Sequence, residues 1–336
     1  MRKKLLYMVV DTETATLPFA NEIAGDSPKR KKRIAIAKPL VYDIGWTICD
    51  RAGNIHEKKQ FLIAETFAVP AVFNTAYYAE KRPIYLEMLK KQETSIKTWH
   101  EVMNIFINDL NRVNSVGAFN SMFDFKKAIP FTELYIEKIY SPDYIEWENR
   151  QRNFCRRIAD GEKQAKNPDF DPDVFIFRGN KYELFDLWGL ATTHLLNNPT
   201  YKNKCLEHGM LTQSGTFFKT SAESSYRYLC DNYGFIEAHT ALDDAIIESF
   251  ILHKIAQKHA IKPGIKYFPF RDLGYTDEFC MRRKIPNKNE CEKVYNAIAE
   301  YINEKMDENI ELSNYTKGLC NRLAKLAEYM GQKCII

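Results

Sequence analysis

The chain has no stretch close to the ~18–20 consecutive apolar residues that a membrane-spanning helix requires. Its first apolar run, Leu5 to Val10, meets Asp11 after about six residues, short of the ~7–15 of a secretory leader and without a small-residue cleavage site. That run reads as a first strand, and the protein as cytoplasmic, with no membrane partner. Eight cysteines are scattered with no C-x-x-C pair, which argues against a disulfide framework. Cys205 and His208 have metal-ligand spacing, but no second pair stands nearby to complete a zinc site. A large charge excess is also missing: 48 Lys and Arg face 44 Asp and Glu, a net +4, so no global basic field points to nucleic acid. There is no internal repeat.

What is present is local. At 336 residues the chain can hold one large domain or one and a half. Alternating Tyr42–Cys49 and Lys59–Ile63 flank the turn Asp50–Asn54, so with residues 5–11 they predict a three-stranded β-meander. Residues 14–39 lack sustained periodicity and read as a loop insertion, ending near the basic run Lys29–Arg33. That run fits a solvated loop or a phosphate-contacting insertion. Residues 64–97 are mixed and in part helical. Thr98 and Glu101 form a capping box that opens a helix with Val102, Ile105, Phe106 and Leu110 on one face.

A short strand follows at 115–120, then a helix after Met122–Asp124. Residues 133–173, rich in Tyr, Arg, Lys and Asp, read as an insertion on the core. Within it Tyr144–Arg152 suits either base stacking and phosphate contact or a helix that covers the core. A strand at 182–186 precedes a helix at about 187–196, with Asp186 as its N-cap. Thr220–Glu223 reads as a second capping box, starting a helix through Tyr233 that Gly234 stops. The last core helix runs from near Thr240 to about His259, and two amphipathic helices at roughly 290–306 and 313–330 form a C-terminal module. The order β-β-β-α-β-α-β-α-α implies an α/β fold, a mixed sheet with helices packed on it.

Four carboxylates fall at the ends of these elements: Asp11 and Glu13, Asp124, and Asp244. Residues two apart in a strand share a face, so Asp11 and Glu13 can share one cation. Hard Mg²⁺ or Mn²⁺ suits such oxygen-rich clusters, and two such ions can drive phosphodiester hydrolysis. His239, five residues before Asp244 on a segment feeding a helix, suits a general base. Asp243 and Asp244 point about 100° apart on a helix, so only one of them faces the ions. Asp244 is the expected ligand, and Asp243 a helix-start acid complementing the dipole.

Asp11-Thr12-Glu13-Thr14, Asn120-Ser121-Met122-Phe123-Asp124 and His239-Thr240-Ala241-Leu242-Asp243-Asp244-Ala245 resemble the three motifs of the DEDD exonuclease superfamily. The spacing of His239 and Asp244 is similar to its histidine branch, DEDDh, which includes proofreading subunits of bacterial replicative polymerases, RNase T and oligoribonuclease. Tyr226–Gly234 also resembles the helix before the third motif. The resemblance covers about residues 4–258. It implies a domain over 1–260, with insertions at about 14–39, 64–95 and 133–180, and an accessory module over 261–336.

The fold so implied is RNase H-like: a mixed five-stranded sheet flanked by helices. The implied activity is two-metal 3′→5′ hydrolysis at single-stranded nucleic-acid ends, DNA favoured over RNA, releasing 5′-mononucleotides. Asp11, Glu13 and Asp244 would hold one divalent ion, and Asp11 with Asp124 the second. His239 would take the proton from the attacking water. Thr12, Thr14, Asn120 and Phe123 would meet the terminal nucleotide. An RNA exonuclease of the RNase T or oligoribonuclease type, or a non-cleaving nucleic-acid-binding subunit, are the rival readings. The C-terminal helices offer a docking face for a polymerase or repair partner. Thr16 stands where family members often carry Gly, and Phe119 where they often carry His.

Overall fold

A computed structural model describes residues 5–162 and 174–258, apart from 197, 214 and 216, with a few isolated positions between 295 and 303. The predicted C-terminal helices and the predicted boundary near 260 lie outside the described residues. The described chain up to Leu187, and again from Glu237, forms one compact unit, while Trp188–Ile236 belong to another.

Among the described residues the first unit has seven strands: β1 (Leu6–Ala15), β2 (Leu40–Asp50), β3 (Ile55–Ile63), β4 (Ser95–Lys97), β5 (Ser115–Ala118), β6 (Val174–Phe177) and β7 (Asn180–Asp186). Their order is β4-β3-β2-β1-β5-β7-β6. The meander β1-β2-β3 is antiparallel, β5 pairs parallel with β1, and β7 parallel with β5. Seven strands replace the five expected, because β4 and β6 extend the two edges. At three and four residues, these edges are too short to carry a readable period of two.

The predicted loop at 14–39 is largely helical. β1 runs on to Ala15, then α1 (Ala20–Ala24) and α2 (Pro28–Ala37) follow, so the basic run lies on a helix. Ser27 caps α2 by accepting from the Arg30 amide, and Pro28 sits in the first turn, where its missing N–H costs nothing. Only Ile34 of α2 is buried, so no apolar stripe marks the helix in the sequence. Residues 64–90 form α3 (Ala64–Phe67), α4 (Pro70–Phe73), a 3₁₀ turn at Ala79–Lys81 and α5 (Arg82–Lys90).

α6 (Trp99–Leu110) starts at Thr98 with both halves of the predicted capping box formed. It packs Trp99, Val102, Met103 and Phe106 onto Met8, Val10, Ile44 and Trp46 of the sheet. After β5, α7 (Ser121–Phe123) and a π-helical turn (Asp124–Ala128) lead into α8 (Ile129–Ile139) and α9 (Tyr144–Asp160). α9 buries Trp147, Cys155 and Ala159 in a second apolar cluster with Leu17, Phe19, Tyr42, Phe73 and Tyr85, so this part of the Tyr- and Arg-rich stretch does cover a core.

In the second unit are α10 (Leu187–Leu196, whose first residue belongs to the first unit), α11 (Pro199–Glu207) and α12 (Ala222–Leu229). The predicted capping box here is overturned: Ser221, not Thr220, is the cap. The Thr220 hydroxyl accepts instead from the Trp188 indole at 3.1 Å. The helix also stops at Leu229, because Asp231 turns the chain in the left-handed region, at φ 53°. Finally α13 (Ala241–Lys258) returns to the first unit and lies across β1 and β2.

Candidate metal centre

Strand alternation sends Met8, Val10 and Thr12 to the α6 side of β1, and Tyr7, Val9, Asp11 and Glu13 to the α13 side. The strand does not end at Asp11, as the sequence suggested. It stays paired with β2 through the whole motif, Asp11 opposite Gly45 and Glu13 opposite Asp43, and bulges only between Glu13 and Thr14. Asp11 and Glu13 are therefore held rigidly in a sheet.

Gly45 decides what lies above them. A Cβ there would sit 2.3 Å from the Leu242 nitrogen and 2.5 Å from the Ala241 carbonyl carbon, so only glycine admits the first turn of α13 this close. Asp43, fully buried, accepts from the Ala241 amide at 3.0 Å and so satisfies an orphan donor at the helix start. Gln60 holds the same carboxylate at 2.9 and 3.0 Å. With the first turn fixed on β2, Asp244 reaches Glu13.

Glu13, His239 and Asp244 each offer a ligand atom, and these atoms lie within 4.8 Å of one another. The His239 Nδ1 is 3.8 Å from Asp244 Oδ2 and 3.7 Å from Glu237 Oε2. Asp124, at the start of the π-helical turn, accepts from the Thr12 hydroxyl at 2.6 Å. Asp11 is tied to the same group electrostatically. Burial lifts its carboxyl well above the ordinary range, and Glu248, Asp244, Asp124 and Glu13 add to the lift. Glu13 is raised for the same first reason, then by Asp244 and Asp43. Burial pushes Asp124 up to about 7 against the pull of the Thr12 hydrogen bond, and pushes Asp43 to about 7. Asp244 is also raised by burial, and His239 is raised chiefly by its bond to Asp244.

Asp243 points away. It is exposed and accepts from the Thr240 hydroxyl at 2.7 Å, as expected for the helix-start acid. Among the expected nucleotide contacts, Asn120 adopts a left-handed backbone, φ 79°, and Phe123 packs partly onto the apolar cluster under α6. Thr14 lies just beyond the bulge. Asp186, expected to cap the helix that follows it, accepts from the Ser121 amide at 2.8 Å and its hydroxyl at 3.0 Å at the start of α7. Cys205 is buried, its thiol pushed to about 12 by that burial, and His208 stacks on Tyr233 at 3.6 Å.

Two acids of this centre were not anticipated. Asp43 sits in an apolar alternating strand, where a lone carboxylate was itself a signal. Glu248 lies one helical turn after Asp244, is 2 % exposed, and accepts from the Phe119 amide at 3.1 Å. Its i+4 spacing from Asp244 placed it on the same face.

Hard divalent ions fit this donor set, which is mostly carboxylate oxygen. The Asp244 Oδ1 is buried without any hydrogen-bond partner, the state expected of an atom reserved for a cation. Among the described residues, no other trio of His, Cys, Asp or Glu ligand atoms comes this close, and no helix is long and apolar enough to cross a membrane. Compared with models of protein families, curated proteins and solved structures, the chain matches none.

Proposed function

We propose that the protein is a metal-dependent 3′→5′ exonuclease of the DEDDh type, acting on single-stranded ends and releasing 5′-mononucleotides. The observation that carries this reading is the convergence of Glu13, His239 and Asp244 within 4.8 Å, with Asp11 and Asp124 in the same electrostatic cluster. The fold gives further support: the five central strands, β3-β2-β1-β5-β7 with only β2 antiparallel to the rest, have the arrangement an RNase H-like domain implies.

In this reading Asp11, Glu13 and Asp244 would hold one Mg²⁺ or Mn²⁺, and Asp11 with Asp124 the second. When bound, such ions would supply acidification of water and charge neutralisation at the scissile phosphate. The chain's own groups do the rest. Thr12 orients Asp124 through its hydroxyl. Asp43 and Gly45 hold α13 on the sheet so that Asp244 keeps its place. With Nδ1 of His239 turned to Asp244 and Glu237, the opposite ring nitrogen takes the proton of the water whose oxygen bonds to phosphorus, while the bond from phosphorus to the 3′-oxygen of the remaining strand breaks and that oxygen leaves as the new 3′ end. DNA is the preferred substrate of this proposal, with RNA the alternative outcome of the same test.

The test uses 5′-labelled single-stranded DNA and RNA oligomers with Mg²⁺, Mn²⁺ or EDTA. Wild-type protein should produce a ladder shortening from the 3′ end, absent in EDTA and in the Asp11→Ala and His239→Ala variants. No cleavage of either polymer with any metal overturns the reading.

A further inference from the structure

His239 is held in an unusual way. Its backbone is left-handed, φ 54°, a conformation that is strained for a non-glycine residue and persists only where neighbours impose it. Its side chain is 32 % exposed, so neither the main chain nor burial fixes the imidazole. Besides Asp244 and Glu237, which face its Nδ1, the neighbours that hold it come from about 160 residues earlier in the chain, at the 3₁₀ turn before α5.

Tyr78 stacks on the His239 imidazole, with ring centroids 4.7 Å apart and planes within 16°. Lys81 donates to the main-chain carbonyls of Ala238 and His239, the latter at 3.4 Å. Two successive carbonyls drawn to one ammonium favour the turn that makes His239 left-handed. Tyr78 and Lys81 are themselves locked together. The Lys81 amide donates to the Tyr78 carbonyl at 3.0 Å, closing a 3₁₀ turn in which residues three apart eclipse. That geometry brings the Lys81 ammonium over the Tyr78 ring, 4.5 Å from its centroid. One face of the ring carries the cation contact and the imidazole contact is a parallel stack, so a single turn grips both the side chain and the main chain of His239.

We propose that Tyr78 and Lys81 are positioning residues for His239. The tyrosine ring sets the plane of the imidazole, and the lysine ammonium sets the backbone that carries it. This rests on the reading of His239 as the proton acceptor. Neither residue touches the reacting atoms in this account. They act by removing rotamers from a half-exposed base whose misplacement by about 1 Å can cost on the order of a hundredfold in rate. Tyr77, 83 % exposed and edge-on to Tyr78 at 4.8 Å, lies outside the grip.

The experiment pairs kinetics with an NMR probe that needs no activity. The imidazole protons of His239, assigned by their loss in His239→Gln, should lie upfield in the wild-type protein because the Tyr78 ring stacks on them. Tyr78→Leu should abolish that shift and lower kcat at least roughly tenfold, with KM within about threefold. Tyr78→Phe, which keeps the ring, should restore both. Lys81→Met should lower kcat in the same direction, and Tyr77→Ala should change neither kcat nor the shift. A Tyr78→Leu enzyme with kcat within about twofold of wild type overturns the proposal, as does a Tyr78→Phe enzyme that falls equally far. If wild-type protein cuts no nucleic acid, the exonuclease reading falls, and a missing upfield shift then separately removes the stack.

Discussion

Opposite faces of the same sheet treat acidic side chains in opposite ways. On the α6 face, Asp109 is buried, yet its oxygens accept from the Trp46 indole at 2.9 Å, from Lys59 and from Arg112 at 3.0 Å. Arg112 also pairs with Glu57, and its hydrogen bond pulls the Glu57 carboxyl down to about 2. On the α13 face, Asp11, Glu13, Asp244 and Glu248 crowd together, with Asp124 electrostatically tied to them from its bond to Thr12, every one of them raised by burial. The first network is finished by the protein's own cations, and it ties β2, β3 and α6 together. The second is mutually repelling, and one oxygen of Asp244 is unpartnered. Acids already paired with the protein's own cations hold the fold, whereas the crowded acids of the other group could hold a metal ion.

The widest separation of the two faces should come from removing an acid on each. Asp11→Asn or Asp244→Asn should lower nuclease turnover on the order of a thousandfold in Mg²⁺. In EDTA the same variants should melt no lower than wild type, because each removes a repelling charge. If they melt clearly lower while activity survives, the α13 face is structural. Gly45→Ala should come next, destabilising by about 3 kcal/mol in urea titration, since the new Cβ meets helix backbone that cannot yield. It should also lower activity by lifting Asp244 away from Glu13.

Asp109→Ala should cost about 2 kcal/mol, because it strands the buried Trp46 donor, while leaving the metal dependence of cleavage unchanged. The smallest effect is on pH. Unfolded carboxyls titrate near 4, whereas those of the α13 face hold their protons higher, Asp43 and Asp124 to about 7. Folding therefore takes up protons between about pH 4 and 7, and stability in EDTA should fall as pH rises through that window. Thermal melts at pH 5 and 8 should show this decline. Mg²⁺ or Mn²⁺ should raise the melting temperature more at pH 8 than at pH 5, because the ions compete with those protons. Equal gains at both pH values would contradict cation binding by these acids.

The parts of the centre that could be read in the chain are those written as short local patterns. Asp11 and Glu13 share a face because side chains in a strand alternate, and the π-helical turn at Asp124 follows β5 as the third carboxylate required. The choice of Asp244 over Asp243 rested on the 100° step of a helix, and the exposed Asp243, bonded to Thr240, agrees with it. The basic run lies on a helix rather than a loop for the converse reason: α2 buries one side chain, so its helicity comes from Ser27, Pro28 and its neighbours and leaves no period. The capping box at Thr220 failed because the Trp188 indole competes for that hydroxyl, a partner 32 residues away.

The sequence thus determined which residues are acidic, and local spacing which of them share a strand face or a helix face and where helices such as α6, α10 and α13 begin. These are properties of neighbours within a few positions, set by the period of the backbone. The tertiary structure alone decided that β2 presents Gly45 and Asp43 to α13, and that Tyr78 and Lys81 grip His239. Each of these joins residues more than a hundred positions apart. No local period encodes such a distance, which is fixed only when the sheet closes and the helices pack on it.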